Sequence, residues 1–156
     1  MNEPHKVVYD CNVFLQAIAR PDGPAGRCVD LALTGEVTLF ISSYVLDEVR
    51  DVTRRPKLVA EFRLRRDRVE ALLDNLLIAA VVVPSVPERW TYQRDPTDAH
   101  YVNLALAAGA TLVVSWDKDL LDLMNDGNAD GTALRAQHPG FQVLTPPQFL
   151  TLNANP

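Results

Sequence analysis

The sequence predicts an α/β fold of three layers, with helices on both faces of a mostly parallel central sheet. Short continuous apolar runs of strand length, such as Val7-Val8-Tyr9 and Leu112-Val113-Val114, read as strands buried on both faces, as in a parallel sheet. Longer stretches with helical apolar spacing separate them, so strands and helices alternate along the chain. Two acids, Asp10 and Asp117, stand just past strand ends. In such sheets that is where ligands bind, at a topological switch point.

The elements follow in order. Val7-Val8-Tyr9 is the first strand, and a helix follows Asn12 through Val13, Phe14 and Ile18. Arg20-Pro21-Asp22-Gly23-Pro24 breaks it. Helix resumes over Ala25–Thr34 and ends at Gly35. Thr38–Ile41 is the second strand. Ser42 or Ser43 caps a helix running to about Arg55, where Pro56 interrupts it. A further helix covers roughly Arg63–Leu77, and Ala79–Val83 is the third strand, closed by Pro84 and Pro87. Asp95 is the expected cap of a helix over Thr97–Ala108, with Pro96 first and Asp98 third in its opening turn. Thr111–Ser115 is a strand and Lys118–Met124 a short helix. Phe141–Leu144 is the last strand, and Pro147–Leu152 a final turn of helix.

The chain has 156 residues, 47% of them hydrophobic and 22% charged, which suits one domain over residues 1–156 with a sizeable core. Its longest apolar run, Leu76–Val83, is too short to span a bilayer. No apolar h-region follows the N-terminal Lys, so a secretory signal is not expected. Cys11 and Cys28 fit no metal or redox spacing and read as free thiols of a cytoplasmic protein. The net charge of −5 conceals a basic stretch: eight of the fifteen Lys and Arg lie between Arg50 and Arg68. That stretch is either a phosphate-contacting face or a solvated helical surface interspersed with Glu61, Asp67 and Glu70.

Four carboxylates carry the functional reading: Asp10, Glu48, Asp98 and Asp117. Glu48 falls in an inward helical stripe with Tyr44, Val45, Val49 and Val52, whereas Asp47, Arg50, Asp51 and Arg54 fall outside it. A shift of one residue would make it an ordinary surface acid. Helix capping equally explains Asp10 with Asn12, and Asp95 with Asp98. Asp98 nonetheless opens a mostly apolar helix, whose burial would carry its first turn inward. In Ser115-Trp116-Asp117-Lys118-Asp119, Asp119 is a further candidate ligand and Ser115 a group to position water or phosphate.

Acids in apolar settings are costly to bury without compensation. Hard cations such as Mg²⁺ and Mn²⁺ prefer carboxylate and water oxygens, and several converging acids do not all stay ionised without one. His5, His100 and His138 are too scattered for a zinc site, and no phosphate-cradling glycine loop occurs. Asp126-Gly127-Asn128-Ala129-Asp130-Gly131 matches the start of an EF-hand loop, but Gln137 stands where its closing Glu is needed. A surface loop is the better reading.

Together these motifs resemble the PIN-domain ribonucleases, and most of all the branch of toxin components of bacterial toxin–antitoxin pairs. The resemblance rests on Asp10-Cys11-Asn12-Val13, Leu46-Asp47-Glu48-Val49, Arg54-Arg55-Pro56-Lys57-Leu58 and Asp95-Pro96-Thr97-Asp98. It continues through Leu104–Ala110, Asp117-Lys118-Asp119-Leu120-Leu121 and Leu144-Thr145-Pro146 with Phe149-Leu150. It implies a PIN-like α/β/α fold and a metal-dependent endoribonuclease, the toxin of a pair. Asp10, Glu48, Asp98 and Asp117 would bind Mg²⁺ or Mn²⁺ and carry catalysis, with Asn12, Ser115 and Asp119 in support. RNA is the implied substrate, an antitoxin protein and a second copy the implied partners, and Arg54 and Arg55 candidate RNA contacts. Cys11, Trp116 and Ala99 depart from the family pattern, where Thr, a small residue and an acid are common. Two other readings compete. One is a non-catalytic RNA- or protein-binding module. The other is an aspartyl-phosphate phosphatase using Asp10, against which Asn12 counts, since that chemistry needs a second acid there.

Overall fold

The computed structural model describes residues 3–154. Five strands form one sheet: β1 (Lys6–Tyr9), β2 (Thr38–Ser42), β3 (Val81–Val83), β4 (Leu112–Val114) and β5 (Gln142–Leu144). Their order is β3-β2-β1-β4-β5, and every pairing is parallel. Val8 sits between Phe40 of β2 and Val113 of β4. The chain therefore builds outward from β1 on one side, then returns to build on the other. The reversal leaves a crevice beyond the carboxyl ends of β1 and β4.

The helices are α1 (Cys11–Ala19), α2 (Pro24–Leu33), α3 (Ser43–Val52), α4 (Pro56–Phe62), α5 (Arg66–Ala79), α6 (Ala99–Ala108), α7 (Lys118–Leu121), α8 (Ala129–Gln137) and α9 (Pro146–Ala154). A 3₁₀ turn, Asp122–Met124, extends α7. Tyr9 anchors one face of the sheet. Its ring packs on Phe14 of α1 and Phe149 of α9, and its hydroxyl donates to the Cys28 carbonyl of α2 at 2.7 Å. Helix α6 packs against β1, β2 and β4. Side chains alternate across a strand, so Asp10, one residue past Tyr9, turns away from the Tyr9 cluster toward α6. Among the described residues no helix is long and apolar enough to cross a membrane.

The structure departs from the sequence reading in five places. Helix α3 ends at Val52, short of the expected Arg55, and Pro56 instead starts α4 as a first-turn proline, a helix that was not expected. Arg63 closes α4 in a left-handed conformation, φ 51°, which delays α5 to Arg66. Helix α5 then runs on to Ala79, so β3 begins only at Val81. At Asp95–Asp98, Asp95 does bond the Asp98 N–H, at 3.2 Å, but it closes a separate turn. Regular helix starts at Ala99, with Asp98 itself at the cap position. Finally, Asp126–Asn128 is a turn, as expected, but Ala129–Gly131 already belongs to a helix. Asn128 accepts from the Gly131 N–H at 2.8 Å and α8 runs to Gln137. Gly131 is required there: a Cβ would lie 1.9 Å from the Leu123 carbonyl oxygen.

Candidate metal centre

Asp10 caps α1 at the carboxyl end of β1, and its N–H extends the ladder to the Val114 carbonyl at 2.9 Å. Its side chain is buried. One oxygen accepts from the Asn12 N–H at 3.4 Å, the other from the Ser115 hydroxyl at 2.6 Å. Ser115, fully buried, accepts in turn from the Asp117 N–H at 2.8 Å. This hydroxyl thus locks the two strand-end aspartates together. The Ser115 proton is directed at Asp10. Asp117 caps α7 by accepting from the Asp119 N–H at 2.8 Å.

Glu48 reaches the same centre from α3. The phenol of Tyr101, on α6, accepts from the Cys11 N–H at 3.1 Å and donates to Glu48 Oε1 at 3.5 Å. Tyr101 therefore ties α1, α3 and α6 together around Asp10. The sequence reading took it only as part of an apolar face. Its position three residues after Asp98, on the same helix face, was the signal that could have singled it out.

Asp98 is buried among acids. Carboxylate oxygens of Asp95, Asp98 and Asp119 lie within 4.8 Å of one another, a grouping with the donor chemistry to hold a metal. It includes Asp95, which the sequence showed only as a cap. Arg94 partly balances this corner, with Nε 2.6 Å from Asp119 and Nη2 2.7 Å from Asp122.

Electrostatics follow from the crowding. Burial pushes the Asp10 carboxyl up, and Asp117 adds to this against the opposing hydrogen bonds from Ser115, Asn12 and Tyr101. Burial and Asp10 push Glu48 up, while the Tyr101 bond and Arg55 oppose. Asp98 is pushed up to about 9 by burial first and by the neighbouring Asp117 next. Glu48 Oε2 and Asp98 Oδ2 are buried and have no hydrogen-bond partner among the described residues. Orphaned anionic oxygens of this kind are costly unless something cationic meets them.

The surroundings are less basic than the sequence suggested. Arg50, Arg55, Arg65 and Arg66 pair with Asp47, Asp51, Asp67 and Glu70. Arg55, with Glu48 and Tyr44, lines a groove of about 490 Å³. Arg54 is exposed, as are Asn12 and Trp116. Only the Asn12 backbone N–H bonds Asp10. Cys11 and Cys28 are buried free thiols.

A family described as PIN domain matches residues 6–119, a span that contains every acid of this centre. An uncharacterized protein of Methanocaldococcus jannaschii is 26% identical over 145 residues, covering 93% of this chain and 89% of its own length. Among solved structures, VapBC2 from Rickettsia felis bound to a DNA fragment from its promoter is similar in fold. It has a TM-score of 0.52 at 14% identity, and the match covers 90% of this chain and 98% of that one.

Proposed function

The chain belongs to the PIN-domain family, and on that premise we propose that it is a metal-dependent endoribonuclease, the toxin of a toxin–antitoxin pair. The observation that carries this is the pair of orphaned, buried carboxylate oxygens, Glu48 Oε2 and Asp98 Oδ2, within acids that raise one another's affinity for protons. An all-oxygen donor set of this kind fits Mg²⁺ or Mn²⁺. Asp10, Glu48, Asp98 and Asp117 would hold the ion, with Asp119 and Asn12 at the margin. When bound, such an ion supplies Lewis acidity to the phosphodiester and to the attacking water. The protein's own groups do the placing. Ser115 fixes the Asp10 rotamer, Tyr101 holds Glu48 against the start of α1, and Arg94 keeps Asp119 turned to one side. No serine or histidine nucleophile is needed. An antitoxin protein and a second copy of the chain would be its partners and RNA its substrate, as the resemblance of its motifs implies.

The test is cleavage of single-stranded RNA. Mg²⁺ or Mn²⁺ should support it, EDTA should stop it, and Asp10→Asn should lose most of it while remaining folded. Full activity in EDTA or in Asp10→Asn rejects the proposal. Co-purification with the product of a neighbouring small reading frame tests the toxin assignment.

A further inference from the structure

Helix α1 starts at the acids and ends in a groove that the acids do not explain. Asp10 caps its first turn. Asn12 and Gln16, four residues apart, share one helix face. The Arg20 N–H closes the helix on the Gln16 carbonyl at 2.8 Å. There Gln16, Ala19 and Arg20 meet Glu61, Phe62 and Arg63 at the end of α4, around a groove of about 600 Å³. At roughly 1.5 Å rise per residue, Gln16 to Arg20 lie about 9–15 Å along the axis from the Asp10 cap.

Two features mark this groove. Arg20 and Arg63 have no acidic partner among the described residues; Arg27, Arg54, Arg68 and Arg89 share this, but only Arg20 and Arg63 line this groove, whereas Arg50, Arg55, Arg65 and Arg66 are paired. Glu61 lines the groove too, without pairing to either arginine, so the local charge is positive. Arg63 also holds a left-handed backbone, φ 51°, alone among the described non-glycine residues. That conformation costs an L-residue on the order of 1 kcal/mol.

We propose that Gln16, Arg20 and Arg63 form a phosphate-binding track that holds the RNA backbone beyond the scissile bond. The proposal rests on the ribonuclease reading. Guanidinium forks match phosphate oxygens in two bonds at once. The groove lies on the helix that begins at Asp10, so a strand crossing the acids continues along α1 into it. Its positive charge offsets the repulsion between RNA and the acidic centre. Continuity with the acids favours RNA over an acidic segment of a partner protein.

The test measures binding of a labelled single-stranded oligouridylate in an Asp10→Asn background with Mg²⁺, over a range of KCl. Arg20→Gln combined with Arg63→Asn removes both charges, and Asn tolerates the left-handed backbone. Each phosphate contact on a single strand contributes about 0.7 to the log–log salt slope, so the slope should fall by about 1.4. Arg20→Lys with Arg63→Lys should keep the slope. Arg65→Gln with Arg66→Gln, an equal loss of charge from paired residues, should leave it unchanged. An unaltered slope in the first variant overturns the track. So does an equal fall in the Arg65/Arg66 control, or loss of binding to an acidic peptide with RNA binding intact. A fall in slope in the first variant, with no RNA cleavage by the wild-type protein in Mg²⁺ or Mn²⁺, would keep the track and sink the ribonuclease reading. Cleavage by the wild-type protein with an unaltered slope in the first variant would do the reverse.

Discussion

Removing the Ser115 hydroxyl should unsettle both strand-end aspartates at once. In Ser115→Ala, Asp10 loses a 2.6 Å hydrogen bond and the Asp117 N–H loses its 2.8 Å acceptor, at a fully buried position. A hydrogen bond to a charged group contributes about 1.5–3 kcal/mol, and a buried N–H left unpaired costs about 1–3 kcal/mol. Relaxation recovers part of this, so the expected loss is about 2–4 kcal/mol. In a chain of this size that lowers the melting temperature by roughly 5–12 °C. The loss should depend on pH. Burial holds the Asp10 carboxyl above its unfolded value, and the Ser115 bond opposes that rise. The folded state thus takes up the proton more readily than the unfolded state, and ionising Asp10 in the fold weakens stability as pH rises through the folded pKa. Without Ser115 that pKa rises further and the ionisation penalty grows. The difference from wild type should therefore be larger at about pH 8 than at about pH 3, below the ordinary aspartate value, where the carboxyl takes up its proton in both states and the Asp117 N–H term remains. Urea unfolding in EDTA at both pH values measures it. A loss below about 1 kcal/mol, or one that is the same at both pH values, refutes the reasoning.

Other predictions concern the acids and the packing. Asp98 is pushed up to about 9, far above an unfolded aspartate, so metal-free protein should lose stability as pH rises from about 4 toward about 9. Mg²⁺ should flatten that decline by binding the ionised native state, and Asp98→Asn should shrink it without metal; a decline unaffected by either contradicts the assignment. Tyr101→Phe removes the hydroxyl that bonds Cys11 and Glu48. It should cost about 1 kcal/mol and move the pH midpoint of Mn²⁺ binding upward, because that bond lowers the Glu48 carboxyl; an unmoved midpoint leaves Tyr101 a packing residue only. Gly131→Ala places a Cβ against Leu123 backbone and should destabilise by about 1–3 kcal/mol in urea, and retention of wild-type stability would show that the α8 contact yields easily.

Much of the fold was legible because it is written in local periodicity. The β1 and β4 runs lack polar interruptions, so their burial on both faces could be read directly. Ser42 capping α3 follows from its bond to the Val45 N–H at 3.1 Å, a purely local contact. What escaped the reading was equally local but ambiguous. Pro56 reads as a stop, but it starts a helix. Asn128 and Gly131 look like loop residues because the reason for Gly131 is the Leu123 carbonyl beside it, which no helical pattern encodes. Basic residues 50–68 looked unpaired because the acids that neutralise Arg50 and Arg55 lie one turn back, on α3.

By itself the sequence determined the alternation of strands and helices, the acids past the ends of β1 and β4, and the inward Val45, Val49 and Val52 beside Glu48, though not Tyr44, which is exposed. Those depend on neighbours three or four residues apart, or on runs of a few residues. Only the tertiary structure decided that the sheet runs β3-β2-β1-β4-β5 and so opens its crevice between β1 and β4. It alone gave Ser115 to Asp10, Tyr101 to Glu48 and Arg94 to Asp119, and brought Asp95 beside Asp98 and Asp119. Ser115 and Asp10 stand 105 positions apart in the chain. Periodicity gives the direction a side chain faces, but the packing of layers determines what it meets.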